Sequence, residues 1–178
     1  MTPCLVTGAS GFVGRHLAAA LAAARWATRA VGGSRSPLLP AEVEVLPPRS
    51  LGPDTRWADA LDGVEVVFHL AGLAHGRDGG DPAALRRVNV DGTLALADAA
   101  AHAGVRRFLF VSSVGVHGDS SPDGPLREDS PLQPRTPYAE SKRAAEEALR
   151  DRLAGSATEL VIVRPPLVHG PGAPGNPA

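Results

Sequence analysis

The reading of the fold turns on residues 3–14, PCLVTGASGFVG. A short apolar run, Pro3 to Thr7, leads into three glycines spaced as GxxGxxG (Gly8, Gly11 and Gly14), and the Ala/Leu-rich stretch from Phe12 to Ala24 has strong helix propensity. Strand, tight glycine turn and helix in that order make an anion cradle. Glycine meets three needs there: φ values that a Cβ opposes, backbone close to a pyrophosphate, and tight packing of the helix on the sheet. The first-turn amides bring the positive end of the helix to the phosphates. No Lys-Ser or Lys-Thr follows the glycines, which excludes a P-loop.

Outward from this turn, strand and helix signals alternate. Strands are expected at Ala27–Val31, in the Val-rich piece from Val43 to Leu46, and over Val64–Leu70, with one or two helical turns between Asp54 and Leu61. Asp81 and Pro82 form an N-cap and N1 pair opening a helix, with breaks, to about Ala103, and Gly104 ends it. Arg106 to Ser112 is the next strand, and Gly118 to Pro134, rich in Pro, Asp and Ser, is a surface excursion. Thr136 and Pro137 repeat the capping signature for a helix to about Leu153, and Leu160 to Arg164 is a further strand. The pattern predicts an α/β fold: a Rossmann-type, doubly wound, mostly parallel sheet with helices on both faces.

Composition agrees with one globular domain. The 178 residues are 43% hydrophobic and 21% charged, with 18 Lys and Arg against 19 Asp and Glu, a formal net charge of -1. That balance gives no basic excess for nucleic acid or an anionic membrane. One cysteine, Cys4, offers neither an internal disulfide nor a cysteine metal cluster, the histidines follow no metal-ligand spacing, and no metal is expected. The start MTPCLVTG lacks a secretory pattern and no 18-residue apolar run occurs, so a cytoplasmic location is expected.

The chain holds one tyrosine and one lysine, and they stand four residues apart as Tyr138 and Lys142. At i and i+4 on the helix opened by Thr136 they share a face. A phenol is a poor base at neutral pH unless a cation favours its ionised form, and the lysine supplies one. An ordinary core tyrosine beside a solvated lysine is the bland alternative. Ser112 and Ser113 close a strand at the carboxyl edge of the sheet, where ligands bind in this architecture, although serines there also serve as turn residues. Asn89, mid-helix in RRVNVDGT, calls for a polar reason such as a bond to backbone or a water held near the lysine. The second strand runs into TRAVGGSRS without an acid for a ribose 2'-hydroxyl, while Ser34 and Arg35 suit a 2'-phosphate, which leaves NAD and NADP both open.

VTGASGFVG, VVFHLAG, RRVNVDGT, RFLFVSSVGVHGD, PYAESKRAAEEAL and VIVRPPLVHGPG occur in order along the chain. In these motifs it resembles the extended short-chain dehydrogenase/reductase family, in particular its NAD-dependent epimerase/dehydratase group. The resemblance implies that NAD or NADP is bound by Gly8, Gly11, Phe12, Val13 and Gly14, by Leu70, Ala71 and Gly72, and by Asn89, Tyr138, Lys142 and Pro165. It implies Tyr138 as general base, Lys142 as its partner on the nicotinamide ribose, and Ser113, with Ser112 beside it, on the substrate. SSVGVHGD and RRVNVDGT look like UDP-hexose or UDP-N-acetylhexosamine 4-epimerases, so the implied substrate is a nucleotide sugar and a homodimer is an assembly open to the intact protein. An NADP-dependent keto reductase or 3-beta-hydroxysteroid-dehydrogenase-like oxidoreductase is the alternative enzyme, and a catalytically silent nucleotide-binding fragment the alternative of another class. Three departures from the family pattern stand out: Ser50 where relatives carry an adenine-binding Asp, no ribose acid, and His169 where tyrosine is common. The expected organisation is a dinucleotide-binding domain over 1–164 and the start of a substrate region over 165–178, including Asn176, with a last strand and substrate lobe missing.

Overall fold

The computed structural model describes residues 1–32, 39–74, 81–120 and 124–173. The elements are β1 (Pro3–Thr7), α1 (Phe12–Ala23), β2 (Ala27–Val31), β3 (Glu44–Val45), α2 (Ala58–Leu61), β4 (Val66–His69), α3 (Pro82–Leu85), α4 (Gly92–His102), β5 (Arg107–Val111), α5 (Pro137–Leu153) and β6 (Glu159–Val163). A π-helical turn, Arg86–Asp91, joins α3 to α4, and a 3-10 turn, Val114–His117, follows β5. The six strands form one parallel sheet in the order β3-β2-β1-β4-β5-β6. The order reverses between β1 and β4, and a doubly wound sheet opens its ligand crevice at the carboxyl ends of such a strand pair.

Strand alternation divides the core between two faces. Leu5, Val67, Phe108 and Phe110 turn toward α2, α4 and α5, where they meet Leu61, Leu96, Ala145 and Leu149. Cys4, Val6, Ala30 and Val66 turn toward α1, against Ala18 and Leu21. Each large side chain removed from water in this way contributes about 1.5–3 kcal/mol.

The helix ends follow local chemistry. Asp81 accepts from Ala83 N and Thr136 from Ala139 N, each with proline in the first turn. Gly104 ends α4 at φ +74°, and α1 ends through Arg25, a non-glycine residue at φ +62°. The strand expected over Val64–Leu70 is shorter, Val66–His69, because Gly63 turns the chain just before it and Val64 N bonds Leu61 O. The expected break in the helix after Pro82 is the π-helical turn, in which the amide of Gly92 reaches back to Arg87 O. No helix among the described residues is long and apolar enough to cross a membrane.

Candidate functional site

The glycine turn sits at the carboxyl end of β1. Gly8 has φ +73°, and a Cβ there would stand 2.7 Å from Ala71 N, so β1's exit and the segment after β4 are backbone to backbone. A Cβ at Gly14 would run into the Gly8 carbonyl oxygen and stand 2.9 Å from the Cα of Ala9, which is the tight helix-on-strand packing expected of the third glycine. Gly11 is the N-cap of α1, and neither a capping side chain nor an acid serves that helix's first turn. Its amides are therefore left for an anion, whereas α3 and α5 are capped by their own side chains.

From this turn a groove runs past Ser10, Val31 and Gly32 on one side and Leu70, Ala71 and Gly72 on the other, with Arg49, Leu51 and Trp57 at its far wall. Arg49 and Trp57 were not singled out from sequence. The Arg49 guanidinium grips Asp59 (Nη1 to Oδ1, 3.0 Å; Nη2 to Oδ2, 2.5 Å) and lies 5.9 Å from the Trp57 ring centroid. No local pattern marks Arg49 or Trp57, and Ser50, beside Arg49 in PPRSLGPD, lines a separate depression with Asp54 and Thr55. Ser34, Arg35 and Asn176 lie outside the described residues.

Below the groove His69 is fully buried between two threonines, Nδ1 2.7 Å from Thr7 Oγ1 and Nε2 2.8 Å from Thr93 Oγ1. Thr7 Oγ1 also accepts from Ala71 N at 3.3 Å. Burial first, and the nearby Lys142 charge second, push the His69 ring down to about 3, so it is neutral. Asn89, in the π-helical turn and 1% exposed, meets the need for a polar partner with backbone. Its Oδ1 accepts from Leu73 N (2.8 Å), and its Nδ2 donates to Leu73 O (3.1 Å) and to Ser141 Oγ (3.0 Å). Ser141 in turn donates to Tyr138 O at 2.7 Å. One buried amide thus ties the groove wall at Leu73 to the helix that carries Tyr138. Gly72 lies between these groups: a Cβ there would stand 2.9 Å from Asn89 Oδ1 and 3.6 Å from Lys142 Nζ.

The structure brings Tyr138 and Lys142 onto one face of α5, but the ammonium is committed elsewhere. Lys142 Nζ donates to Val111 O at 2.9 Å and lies 4.7 Å from the Phe110 ring centroid and 5.9 Å from that of Tyr138. Burial lowers the lysine to about 8, partly offset by the Glu146 carboxylate. Burial also holds the Tyr138 phenol above its ordinary value. The spacing correctly places the cation near the phenol, yet the desolvation that sequence cannot show governs the phenol here.

The two serines divide. Ser112 is buried and its hydroxyl makes no hydrogen bond among the described residues, while Ser113, partly exposed, caps the 3-10 turn by accepting from Gly115 N at 3.1 Å. Pro165 accepts from Val114 N at 3.0 Å, which carries the post-β6 segment alongside that turn. Val13 is 41% exposed on the first turn of α1, and the Phe12 ring packs edge-on to His16, its centroid 5.3 Å from Arg15 Cζ.

The family model for the NAD dependent epimerase/dehydratase family matches residues 4–178. Ceramide reductase of Caulobacter vibrioides is 38% identical over 171 residues, covering 94% of this chain and 46% of that protein. UDP-glucose 4-epimerase of Vibrio cholerae is 35% identical over 181 residues, covering 97% and 53% respectively. Among solved structures, MoeE5 in complex with UDP-glucuronic acid and NAD superposes with a TM-score of 0.85 at 32% identity, over 96% of this chain and 56% of that one. The chain spans about half the length of the curated relatives it matches.

Proposed function

The chain belongs to the NAD-dependent epimerase/dehydratase family, and from that premise we propose that it binds NAD or NADP along the groove and supplies the acid/base side of a nucleotide-sugar 4-epimerisation in the whole protein. The observation that carries the reading is that the groove beginning at an uncapped helix N-terminus reaches Gly72, and Gly72 lies against both Asn89 and Lys142, the lysine sharing a face of α5 with Tyr138. The missing Cβ atoms at Gly8 and Gly14 leave the turn as close to a pyrophosphate as backbone allows. MoeE5 and UDP-glucose 4-epimerase, similar to this chain, support a UDP-hexose as substrate class.

The dinucleotide, when bound, supplies reversible acceptance of hydrogen from carbon, which the protein's own side chains lack. In this reading Gly8, Gly11 and Gly14, with the first amides of α1, hold the pyrophosphate. Ser113 bonds the substrate hydroxyl that becomes a carbonyl, and Tyr138 takes that hydroxyl's proton and later returns it. Lys142 bonds the nicotinamide ribose and keeps positive charge beside the phenolate as it forms, which its present 5.9 Å separation from the ring permits. Pro165 lines the nicotinamide end.

A second reading, a carbonyl reductase, is favoured by the 38% identity to ceramide reductase. It uses the same tyrosine but consumes reduced cofactor, so the readouts differ. Incubation with a UDP-hexose and catalytic NAD should give the 4-epimer with no net change in absorbance at 340 nm, and Tyr138→Phe should reduce this by about 10²–10⁴-fold while leaving dinucleotide affinity in place. Stoichiometric NADPH consumption with a ketone substrate and no epimer would replace the first reading by the second. Absence of any dinucleotide binding would sink both.

A further inference from the structure

We propose that Glu146 is a positioning residue for the Tyr138/Lys142 pair, a buried carboxylate that keeps the lysine charged beside the tyrosine. Tyr138, Lys142 and Glu146 follow one another at four-residue steps on α5, so the three project from the same face one turn apart. That face is turned inward: Lys142 is 4% exposed and Glu146 0%, and the residues flanking the glutamate on it, Ala145 and Leu149, are fully buried apolar side chains. An ionised carboxylate in that setting is costly unless it is matched.

The match comes from outside the helix. Arg164, the residue just after β6, donates through Nε (2.9 Å) and Nη2 (2.6 Å) to the two Glu146 oxygens, and Arg150 adds a third bond at 3.2 Å. Burial would raise the Glu146 carboxyl, but the bonds from Arg164 and the charges of Arg164 and Arg150 outweigh it and hold the group below its ordinary value. Arg164 is fixed at its other end by Glu128 O (2.9 Å) and by His117 Nε2 (3.1 Å), while His117 Nδ1 faces Pro131 O at 3.2 Å. Because a guanidinium only donates, His117 accepts through Nε2 and is left to donate through Nδ1.

Among the described residues, the charged and titratable groups facing Lys142 are few. They are the phenol of Tyr138 and the carboxylate of Glu146 on its own helix, the neutral ring of His69 on β4, and, beyond the carboxylate, Arg164 and Arg150. Glu146 alone among them favours the ammonium, and it opposes the burial that drives the lysine toward neutrality. A salt bridge kept only for stability would not need to stand one helical turn from the lysine. This inference rests on the role given above to Lys142, but the lysine's charge can be read without turnover, so the two can fail separately.

Lys142 is the single lysine of the chain. Labelling with ¹³Cε-lysine therefore yields one side-chain resonance whose shift against pH reports this ammonium directly. In the wild-type chain the midpoint is expected near 8, where the folded structure puts it. Glu146→Gln should move it down by about one unit or more, and Glu147→Gln, at an exposed neighbouring position, should leave it in place. An unchanged midpoint in a folded Glu146→Gln chain overturns the proposal. Should that variant unfold because Arg164 is stranded, Glu146→Gln with Arg164→Gln removes both charges and leaves two amides able to bond each other. The midpoint should still fall, since of the two charges it is that of Glu146 that acts on Lys142. A midpoint equal to or above wild type in the folded double variant equally overturns it.

Discussion

His69 makes the fold acid-sensitive in a window that can be calculated. The ring is fully buried under the groove and held down to about 3 from 6.5. A histidine with a depressed folded pKa binds its proton more readily in the unfolded chain, so its neutral form contributes stability that is complete above about 6.5 and is lost as pH falls toward 3. The full span of the shift corresponds to about 5 kcal/mol, and the part lost by pH 5 to about 2 kcal/mol. With a urea slope of roughly 2 kcal/mol per molar, the unfolding midpoint should drop by about 1 M between pH 7 and pH 5. Ordinary carboxylates titrate mostly below that interval, which keeps the reading clean. Glu146, whose folded pKa is lowered, loses its own contribution only as pH falls through and below the usual carboxylate range. His69→Gln, with an amide in place of the ring between Thr7 and Thr93, should be less stable at pH 7 yet nearly flat from pH 7 to 5. The reasoning is refuted if wild type shows no drop, or if His69→Gln, folded, drops as far as wild type.

Two further outcomes follow from the groove and the sheet. Gly14→Ala drives a Cβ into the Gly8 carbonyl, a backbone atom that cannot swing aside, and should cost about 1–3 kcal/mol in urea unfolding together with most dinucleotide affinity; Gly63→Ala, strained only by φ +67° in open space, should cost about 1–2 kcal/mol and leave binding measured by fluorescence titration unchanged. Cys4, buried in β1 with its thiol raised by burial, should react with a thiol-specific reagent no faster than the chain opens, so adding urea past the midpoint should release the reaction.

The elements were legible because their signals are local. Val-rich runs, Asp81-Pro82 and Thr136-Pro137 encode strands and capped starts within a few residues, and β1, β2 and α5 begin where the sequence places them. The glycine turn and the Tyr138-Lys142 spacing were legible for the same reason. What the chain did not disclose depends on partners distant in sequence. Asn89 asked for a polar partner, but that the partner is Leu73 backbone follows only from the widened turn at Arg86–Asp91. Arg49 and Trp57 reach the groove through the β3 side of the sheet, without a local pattern to mark them. Glu146 was within sight, four residues past Lys142, yet its meaning comes from Arg164, which is 18 residues away. The two serines read alike in sequence; strand alternation alone sends Ser112, continuing the inward side of Phe108 and Phe110, toward α5.

The polar bonds that hold the site come from different elements, and on the cradle side the segment after β6 adds one of them, Arg15 Nη2 donating to Gly172 O at 2.9 Å. Thr7, His69 and Thr93 join β1, β4 and α4; Asn89 joins the groove wall to α5; Lys142 joins α5 to β5. A cradle fixed by bonds in three directions loses little freedom when a dinucleotide settles in it, so affinity on that side is not spent on ordering backbone. The acid/base side is built differently. Its phenol is held protonated by burial and its lysine is bonded to a main-chain carbonyl, with the carboxylate that sustains the lysine anchored through Arg164 to Glu128 and hence to the loop beyond the 3-10 turn. In the proposed reading, binding and proton transfer therefore draw on separate supports: changes around Gly8 and Gly14 should act on affinity, and changes around Glu146 and Arg164 on the charge that the tyrosine meets.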